Sequence, residues 1–559
     1  MSILDQARRE RLTRRAVLRG GAGLAAGGIS MALLGCGDDD EAPSGSTGST
    51  SAPSATQAAG TGAQRQGGQV TLYQATDAPT LDPHITSAAQ TYETAGLLYS
   101  RLLSFDASPG NPPYSNILQG DLASEWEESD DGLTYVFTLR DGMKWQNVDP
   151  VNGRAVVAED VVYGLDRMRT PEPQFTAAYL LSVVNTIEAV DDTHVRMTLH
   201  EPFAPFLDNL AHTNAMILPR ELIEKYGDAR EHAAGSGPFI LKSHTAGTEY
   251  VMERNPDYFG DGPYVDTLRI LMVPDASLQL AAMRTGQVDH YTTSSPKRVE
   301  ELRGSNPELV YHEMPGASGN RLVINANREP YTDTRVRKAI DFAIDRRAII
   351  DTEFQGRARL MYVFGGNMAP FDVPQEEIDA HWKQDLAEAK KLMDSAGFAD
   401  GFDTEWELNT EGDAQTRMEL IQGFIREIGI NMTIKPVTYA EHRKNADTQN
   451  FIGFTTGVRA STDPDATLFR NYHPLSSQRW ISVEDYPTVL ELIDKTRTTL
   501  DREERIQAVQ EASRALIEES LVPGLFDPFP YQVVQPRVHD FSPSGIPGRL
   551  EWKHVWVDA

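Results

Sequence analysis

Residues 416–436 read Thr416-Arg417-Met418-Glu419-Leu420-Ile421-Gln422-Gly423-Phe424-Ile425-Arg426-Glu427-Ile428-Gly429-Ile430-Asn431-Met432-Thr433-Ile434-Lys435-Pro436. Thr416 followed three residues later by Glu419 has the form of a capping box. Met418, Ile421, Phe424, Ile425 and Ile428 then recur at helical spacing, which predicts a helix with one apolar face. Gly429 is its expected C-terminal cap. Beyond it, Ile430, Met432 and Ile434 alternate with polar residues as far as Pro436, the pattern of a strand. Helix, tight cap and strand in that order form the unit of an α/β layer, expected here with a largely parallel sheet.

The same reading extends outward. Gln69–Ala75, Thr134–Arg140, His194–His200, Thr267–Val273 and Asn320–Asn325 carry the β-branched and aromatic residues of strands. Asp385-Leu386-Ala387-Glu388 opens a helix with Ala389, Leu392 and Met393 on one face, stopping near Gly397. Asp333–Ile349 predicts another, with Val336, Ile340, Ala343 and Ile344 inward and Arg335, Arg337 and Lys338 outward. These stripes predict core. They name no function.

At 559 residues the chain suggests about three or four domains. Its formal charge of -29 disfavours a general nucleic-acid binder, because such a surface repels phosphate backbones. A single cysteine, Cys36, excludes intrachain disulfides and Cys-based zinc sites.

The first 68 residues read as an address and a tether. Six arginines, from Arg8 to Arg19, precede a soft apolar stretch, Gly20–Leu34, that is too short to span a bilayer. Thr13-Arg14-Arg15-Ala16-Val17-Leu18-Arg19 is similar to a twin-arginine export motif, with Arg19 where lysine is common. Leu33-Leu34-Gly35-Cys36 resembles a bacterial lipobox, so residues 1–35 are expected to be removed and Cys36 lipidated. That removal takes away six Arg and two acids and leaves a charge of about -33. From Gly37 to Gly68 no aromatic residue occurs, and a flexible tether spanning about 30 Å is expected.

Catalytic patterns are missing. Gly21-Ala22-Gly23-Leu24-Ala25-Ala26 fits a dinucleotide fingerprint in form, but it lies within the export signal with no strand before it. Gly235-Ser236-Gly237 and Gly316-Ala317-Ser318-Gly319 lack the frame of a nucleophile elbow. The 13 histidines show no metal spacing, and no phosphate-binding loop occurs. The expectation is a binding protein without cofactor or metal, with a secreted hydrolase as the disfavoured alternative.

An ordered set of motifs narrows this. Pro79-Thr80-Leu81-Asp82-Pro83-His84, Asp121–Trp126, Asp130–Tyr135, Phe137–Gly142 and Ala158–Val161 occur in line. Gly235–Phe239, Arg254–Phe259, Gly286–Asp289, Asn325, Pro330–Ala339, Ala343–Arg346 and Ala396–Phe398 follow. Together they resemble the peptide/nickel class of extracytoplasmic solute-binding proteins of ABC importers (family 5), from about residue 69 to 550. The resemblance implies a two-lobe, periplasmic-binding-protein-like α/β fold with a hinge and an extra domain. Residues 69–315 would form the first lobe, with the extra domain at about 114–234. Residues 316–524 would form the second lobe, and 525–559 would return to the first. It further implies a monomer that delivers a small solute to permease subunits from the outer face of the cell membrane. A sensor or adhesive lipoprotein of the same fold is the alternative.

Two local departures stand out. The stretch between Lys144 and Ala158 is longer than usual for the family, and Val157 replaces a capping Thr, a loss of about 1 kcal/mol. Arg140 and Asp160 are expected in turn and interlobe pairing rather than on ligand.

For the solute, the resemblance aligns Ala460 with the Asp that holds the ligand's ammonium in dipeptide-binding members. The carboxylate-binding arginine also lacks a counterpart near Leu408–Glu411. Both gaps argue against a specific dipeptide receptor. Candidate ligand contacts are Arg459, Asp463 and Asp465, the acids reading at least equally as helix caps, together with the aromatic residues Tyr92, Trp406, Tyr439 and Trp480, each a type more often found in core than on ligand. Peptide-like and oligosaccharide-like solutes both fit.

Overall fold

The computed structural model describes residues 65–558 apart from 87, 115, 173, 318, 369, 411–413, 458–461, 477–478, 480, 546–547 and 549. The export signal, Cys36 and nearly all of the tether lie outside the described residues.

The predicted strands form as Gln69–Gln74, Thr134–Leu139, His194–Leu199, Thr267–Met272 and Asn320–Ile324. Gln69–Gln74 pairs parallel with Thr267–Met272, and the sheet continues antiparallel through Glu249–Arg254 to Phe239–Thr245. A second four-stranded sheet, Ala123–Glu128, Thr134–Leu139, His194–Leu199 and Val184–Ala189, is antiparallel throughout. The expectation of largely parallel sheets is therefore corrected: among the described pairs only two are parallel. Tight turns such as the one at Gly132, which has φ +67°, join neighbouring strands directly, and a short turn can only reverse the chain.

One large apolar core gathers residues from Val70 to Ile270 together with Val534–Val557, and a second gathers Leu322 to Phe526. A smaller cluster, Leu280–Leu309 with Tyr531 and Val533, sits under the three-stranded sheet His290–Thr293, Tyr531–Val534 and Val310–Glu313. The chain crosses between the large cores at 314–317 and at 529–530, where the Met314 N–H donates to the Pro530 carbonyl at 2.8 Å. Beside the crossings Arg357 donates to both Glu313 oxygens at 2.7 Å.

Several helices obey local rules and others are overruled. Asp385 caps Leu386–Ser395 by accepting the Glu388 N–H at 2.9 Å, and Gly397 takes φ +87° behind it. Thr416 does not cap: the helix runs Gln415–Arg426, starting two residues earlier than that cap implies, and its N-terminus at Ala414 has no side-chain cap. Gly429 does adopt φ +88° and leads into Ile430–Val437, paired parallel with Phe402–Asn409.

The helix expected over 333–349 breaks into Thr334–Ala343 and Arg346–Phe354, because Asp345 caps the second by accepting the Ala348 N–H at 2.9 Å. Arg337, expected outward, is fully buried and donates to the carbonyls of Tyr331 at 2.7 Å and Glu519 at 2.8 Å. Tertiary carbonyls took it inside.

The family-like motifs serve packing. A Cβ at Gly235 or Gly237 would run into the backbone of Leu98. Buried Gln146 lies across this junction, accepting the Gly235 N–H at 3.1 Å and donating to the Phe239 carbonyl at 2.7 Å. Val157 leaves Ala158–Met168 without a side-chain cap, but Asp160 still accepts the Val157 N–H at 3.0 Å. The long loop before it repays the loss with Arg154, which grips Asp160 at 2.7 and 2.8 Å and Glu221 at 2.5 Å. Arg140 donates to the Asp121 carbonyl at 2.6 Å. Both pairings lie inside the first lobe, which corrects the interlobe expectation.

Candidate functional site between the lobes

The two main cores meet along a polar seam. On the first-lobe side, Phe206–Leu210 buries Phe206, Asn209 and Leu210 and ties itself down through Asn209, which donates to the Leu180 carbonyl at 2.9 Å. That leaves Asp208 on the outward face. On the second-lobe side, Arg502–Glu518 starts at Asp501, which accepts the Glu503 and Glu504 N–H groups at 3.0 Å. Arg502 and Arg505 therefore stand one turn apart on the same face.

Several contacts cross the seam. The Ala204 N–H donates to the Arg497 carbonyl at 2.8 Å. The Arg497 guanidinium lies 4.9 Å from the Phe203 ring and 3.9 Å from Phe469, and pairs with Asp465 at 2.9 Å. Asn116 donates to the Thr462 carbonyl at 3.2 Å. Gly132 turns beneath Leu500, where a Cβ would come within 2.6 Å of its methyl. Farther along, Tyr114 faces Asp527, whose Oδ2 accepts the Gly366 N–H at 2.7 Å. Burial first, then that carboxylate, raises the Tyr114 phenol above its ordinary value.

The electrostatics are set by who is paired. Arg505 donates to both oxygens of Asp463 at 2.7 and 2.8 Å and to the Thr496 carbonyl at 2.9 Å. Burial and then Asp463 push the Asp465 carboxyl up to about 6, against the pull of Arg497. His212 is pulled down to about 4 by burial, then by Arg101 and by Arg470 across the seam. Among the described residues no cluster of three His, Cys, Asp or Glu could hold a metal.

Residues 118–478, nearly two thirds of the chain, match the model of the bacterial extracellular solute-binding proteins, family 5. The chain belongs to this family. It is thus a binding protein of ABC importers and not an enzyme. The dipeptide-binding protein of Escherichia coli is 27% identical over 477 residues, 78% of this chain and 85% of that one. Di/tripeptide-binding protein 2 of Pseudomonas aeruginosa is 26% identical over 507 residues, 85% of this chain and 92% of its own. In fold, the periplasmic binding protein DppA of Helicobacter pylori, solved with the peptide STSA, superposes with a TM-score of 0.76 at 23% identity, over 89% of this chain and 99% of the other.

For this family 5 protein the seam gathers some of the sequence candidates. Asp463 and Asp465 both lie on it, at the start of the helix Asp465–Tyr472, and Asp463 Oδ1 accepts the Asp465 N–H at 2.8 Å. Capping and ion pairing thus combine in one loop. Tyr92 stands behind the first-lobe wall, donating to the Thr86 carbonyl at 2.9 Å and edge-on to His212. Trp406 is elsewhere: it is fully buried in the second core, its indole N–H donates to Tyr331 at 3.2 Å, and Gly453 packs on the ring. It presents no open face for stacking. Tyr439 is half exposed at the first turn of Tyr439–Asp447. Arg459, Ala460 and Trp480 lie outside the described residues.

The sequence reading missed Tyr114, Asn116, Asp208, Arg497, Arg505 and Asp527. Tyr114 and Asn116 adopt φ +58° and +47°, a conformation without a local sequence signal. The others are ordinary charged residues that only the tertiary fold brings together.

Proposed function

We propose that this protein captures a small peptide-like solute between its lobes and hands it to an ABC permease. In this reading it works from a lipid anchor at Cys36 on the outer face of the cell membrane, as a monomer carrying no cofactor. Closure about the crossings at 314–317 and 529–530 would bury the solute and mark the loaded state. The observation that carries the reading is the polar seam joining two separate cores, with cationic and anionic side chains and tyrosine facing across it. The peptide class is favoured by the relatives named for dipeptides and di/tripeptides. The gap at Ala460 argues that any ammonium is held differently from a specific dipeptide receptor.

Native mass spectrometry of the mature chain (Cys36→Ser, for solubility) tests it. Release of a bound peptide on denaturation, or a rise in Tm with tripeptides, is the expected result. A solute at 100 times Kd adds about 2.7 kcal/mol. An empty protein that no peptide stabilises would sink the peptide reading.

A further inference from the structure

The helix Pro487–Thr498 ends at the seam, where its last carbonyls have no N–H of their own helix to take. That of Lys495 accepts the Thr499 N–H at 3.1 Å, and that of Thr496 accepts the Arg505 Nε–H at 2.9 Å, both within the second lobe. The Arg497 carbonyl is taken by the first lobe, accepting the Ala204 N–H at 2.8 Å. Its guanidinium crosses as well, with the Phe203 ring 4.9 Å away. Asn116 brings a single hydrogen bond over the seam and Gly132 an apolar contact. Arg497 joins the lobes through main chain and side chain together.

The second lobe holds this guanidinium in place. Asp465 Oδ1 lies 2.9 Å from its Nε, and the Phe469 ring lies 3.9 Å from its central carbon. Phe469 stacks in turn on His473, ring centres 4.4 Å apart at 20°. His473 is pinned by the Leu475 N–H, accepted at Nδ1 over 3.1 Å, and by Asp494, 3.1 Å from Nε2. The first-lobe partner is stiff too. Glu201-Pro202-Phe203-Ala204-Pro205 sets a proline on each side of the contact, and each fixes its own φ and narrows the residue before it. Phe203 is 2% exposed, and its carbonyl accepts the Phe206 N–H at 3.1 Å. Two preorganised faces lose little freedom when they meet.

We infer that Arg497 is a positioning residue for capture: it holds the closed lobes together by receiving Phe203 and the Ala204 N–H, and so sets how long a solute stays between them. The inference rests on the reading of capture between lobes and names the residue that governs release. A cation over an aromatic ring is worth most where water is excluded, and parting the lobes at Phe203 gives that up before the solute can leave. Differences of this kind show mainly in the dissociation rate. The contact involves no solute atom, so it acts alike on every solute the cleft admits.

The test uses the mature chain with Cys36→Ser, alone and with Arg497→Met, Phe203→Leu or both, each checked for cooperative unfolding. In the first arm each chain is loaded with an equimolar pool of tripeptides of positive, zero and negative net charge, and native mass spectrometry follows their loss after dilution. Each single variant is expected to release tripeptides about tenfold faster than the parent, all of them accelerated alike, with association unchanged within about twofold. The double variant is expected to match the singles, since either change already removes the shared contact. In the second arm small-angle scattering compares the empty chains, and the parent is expected to be the more compact.

Where tripeptides are retained, release decides. Release at the parent rate in the variants overturns the inference. So does acceleration of about a hundredfold in the double variant, which would make the two residues independent. Acceleration confined to tripeptides of one charge would make Arg497 a solute contact and overturns it as well. Failure of every chain to retain any tripeptide would count against the peptide reading, and scattering then decides: a parent more compact than the variants upholds the role of Arg497, and equal radii overturn it.

Discussion

Trp406 shows how little a side chain's type says about its task. By type it serves as a stacking platform or as core, and here its ring is packed under Gly453 and its N–H donates to Tyr331. Trp406→Ala is expected to cost about 3–5 kcal/mol in urea unfolding, with solute affinity unchanged once the protein is folded. Asp463 is the converse case. Its sequence reads as a ligand contact or a helix cap, and in the fold it is a buried partner of Arg505. Asp463→Ala leaves a buried guanidinium uncompensated and should cost about 3–5 kcal/mol, again read from urea midpoints.

A third residue, His84, is fully buried between the Met216 carbonyl at 2.9 Å and Arg167 at 2.8 Å, and burial pulls it down to about 4. Because its folded value lies below its unfolded one of 6.5, the neutral form contributes stability at higher pH. That stability is lost as the pH falls from 6.5 through about 4. The expected observation is an imidazole NMR signal for His84 that stays neutral at pH values where exposed histidines titrate.

At the scale of elements, alternation and spacing located five strands, from Gln69–Gln74 to Asn320–Ile324, to within a residue, because side-chain period and β-branching act over neighbours alone, but Ile430–Val437 runs past the expected stop at Pro436, which pairs opposite Leu408. Caps were legible where the capping atom lay within four residues, as at Asp385. They failed at Thr416, where packing of Met418, Ile421 and Ile425 on the second core set the helix start instead. The pair gives a comparison: Asp385→Ala should lower stability by about 1 kcal/mol and Thr416→Ala by much less, measured in the same denaturant series. The break at Asp345 was also missed. The apolar stripe continues through it, and only the contacts of Arg346 with Asp341 at 2.9 Å and the Gly524 carbonyl at 2.9 Å reveal why the second helix turns away.

For the whole molecule, the crossings between cores and the seam decide what the protein can do. Gly316 sits at one crossing against the Asp527 carboxylate, with no room for a Cβ. Gly316→Ala is expected to destabilise by about 1–3 kcal/mol, visible as a lowered Tm. At the membrane, Cys36→Ala should shift the protein from the membrane fraction to the soluble one without changing solute binding, which fractionation would show.

The chain's own order of residues determined strands such as Gln69–Gln74 and Thr134–Leu139 and caps such as that of Asp385, since each depends on residues a few positions apart. It also carried the ordered motifs by which family 5 membership could be read. Only the tertiary structure decided that Arg337 turns inward, that Trp406 is core, and that Asp463 is buried against Arg505. Those partners lie far apart in sequence, and nothing local to Asp463 records that a guanidinium 42 residues later will pair with it.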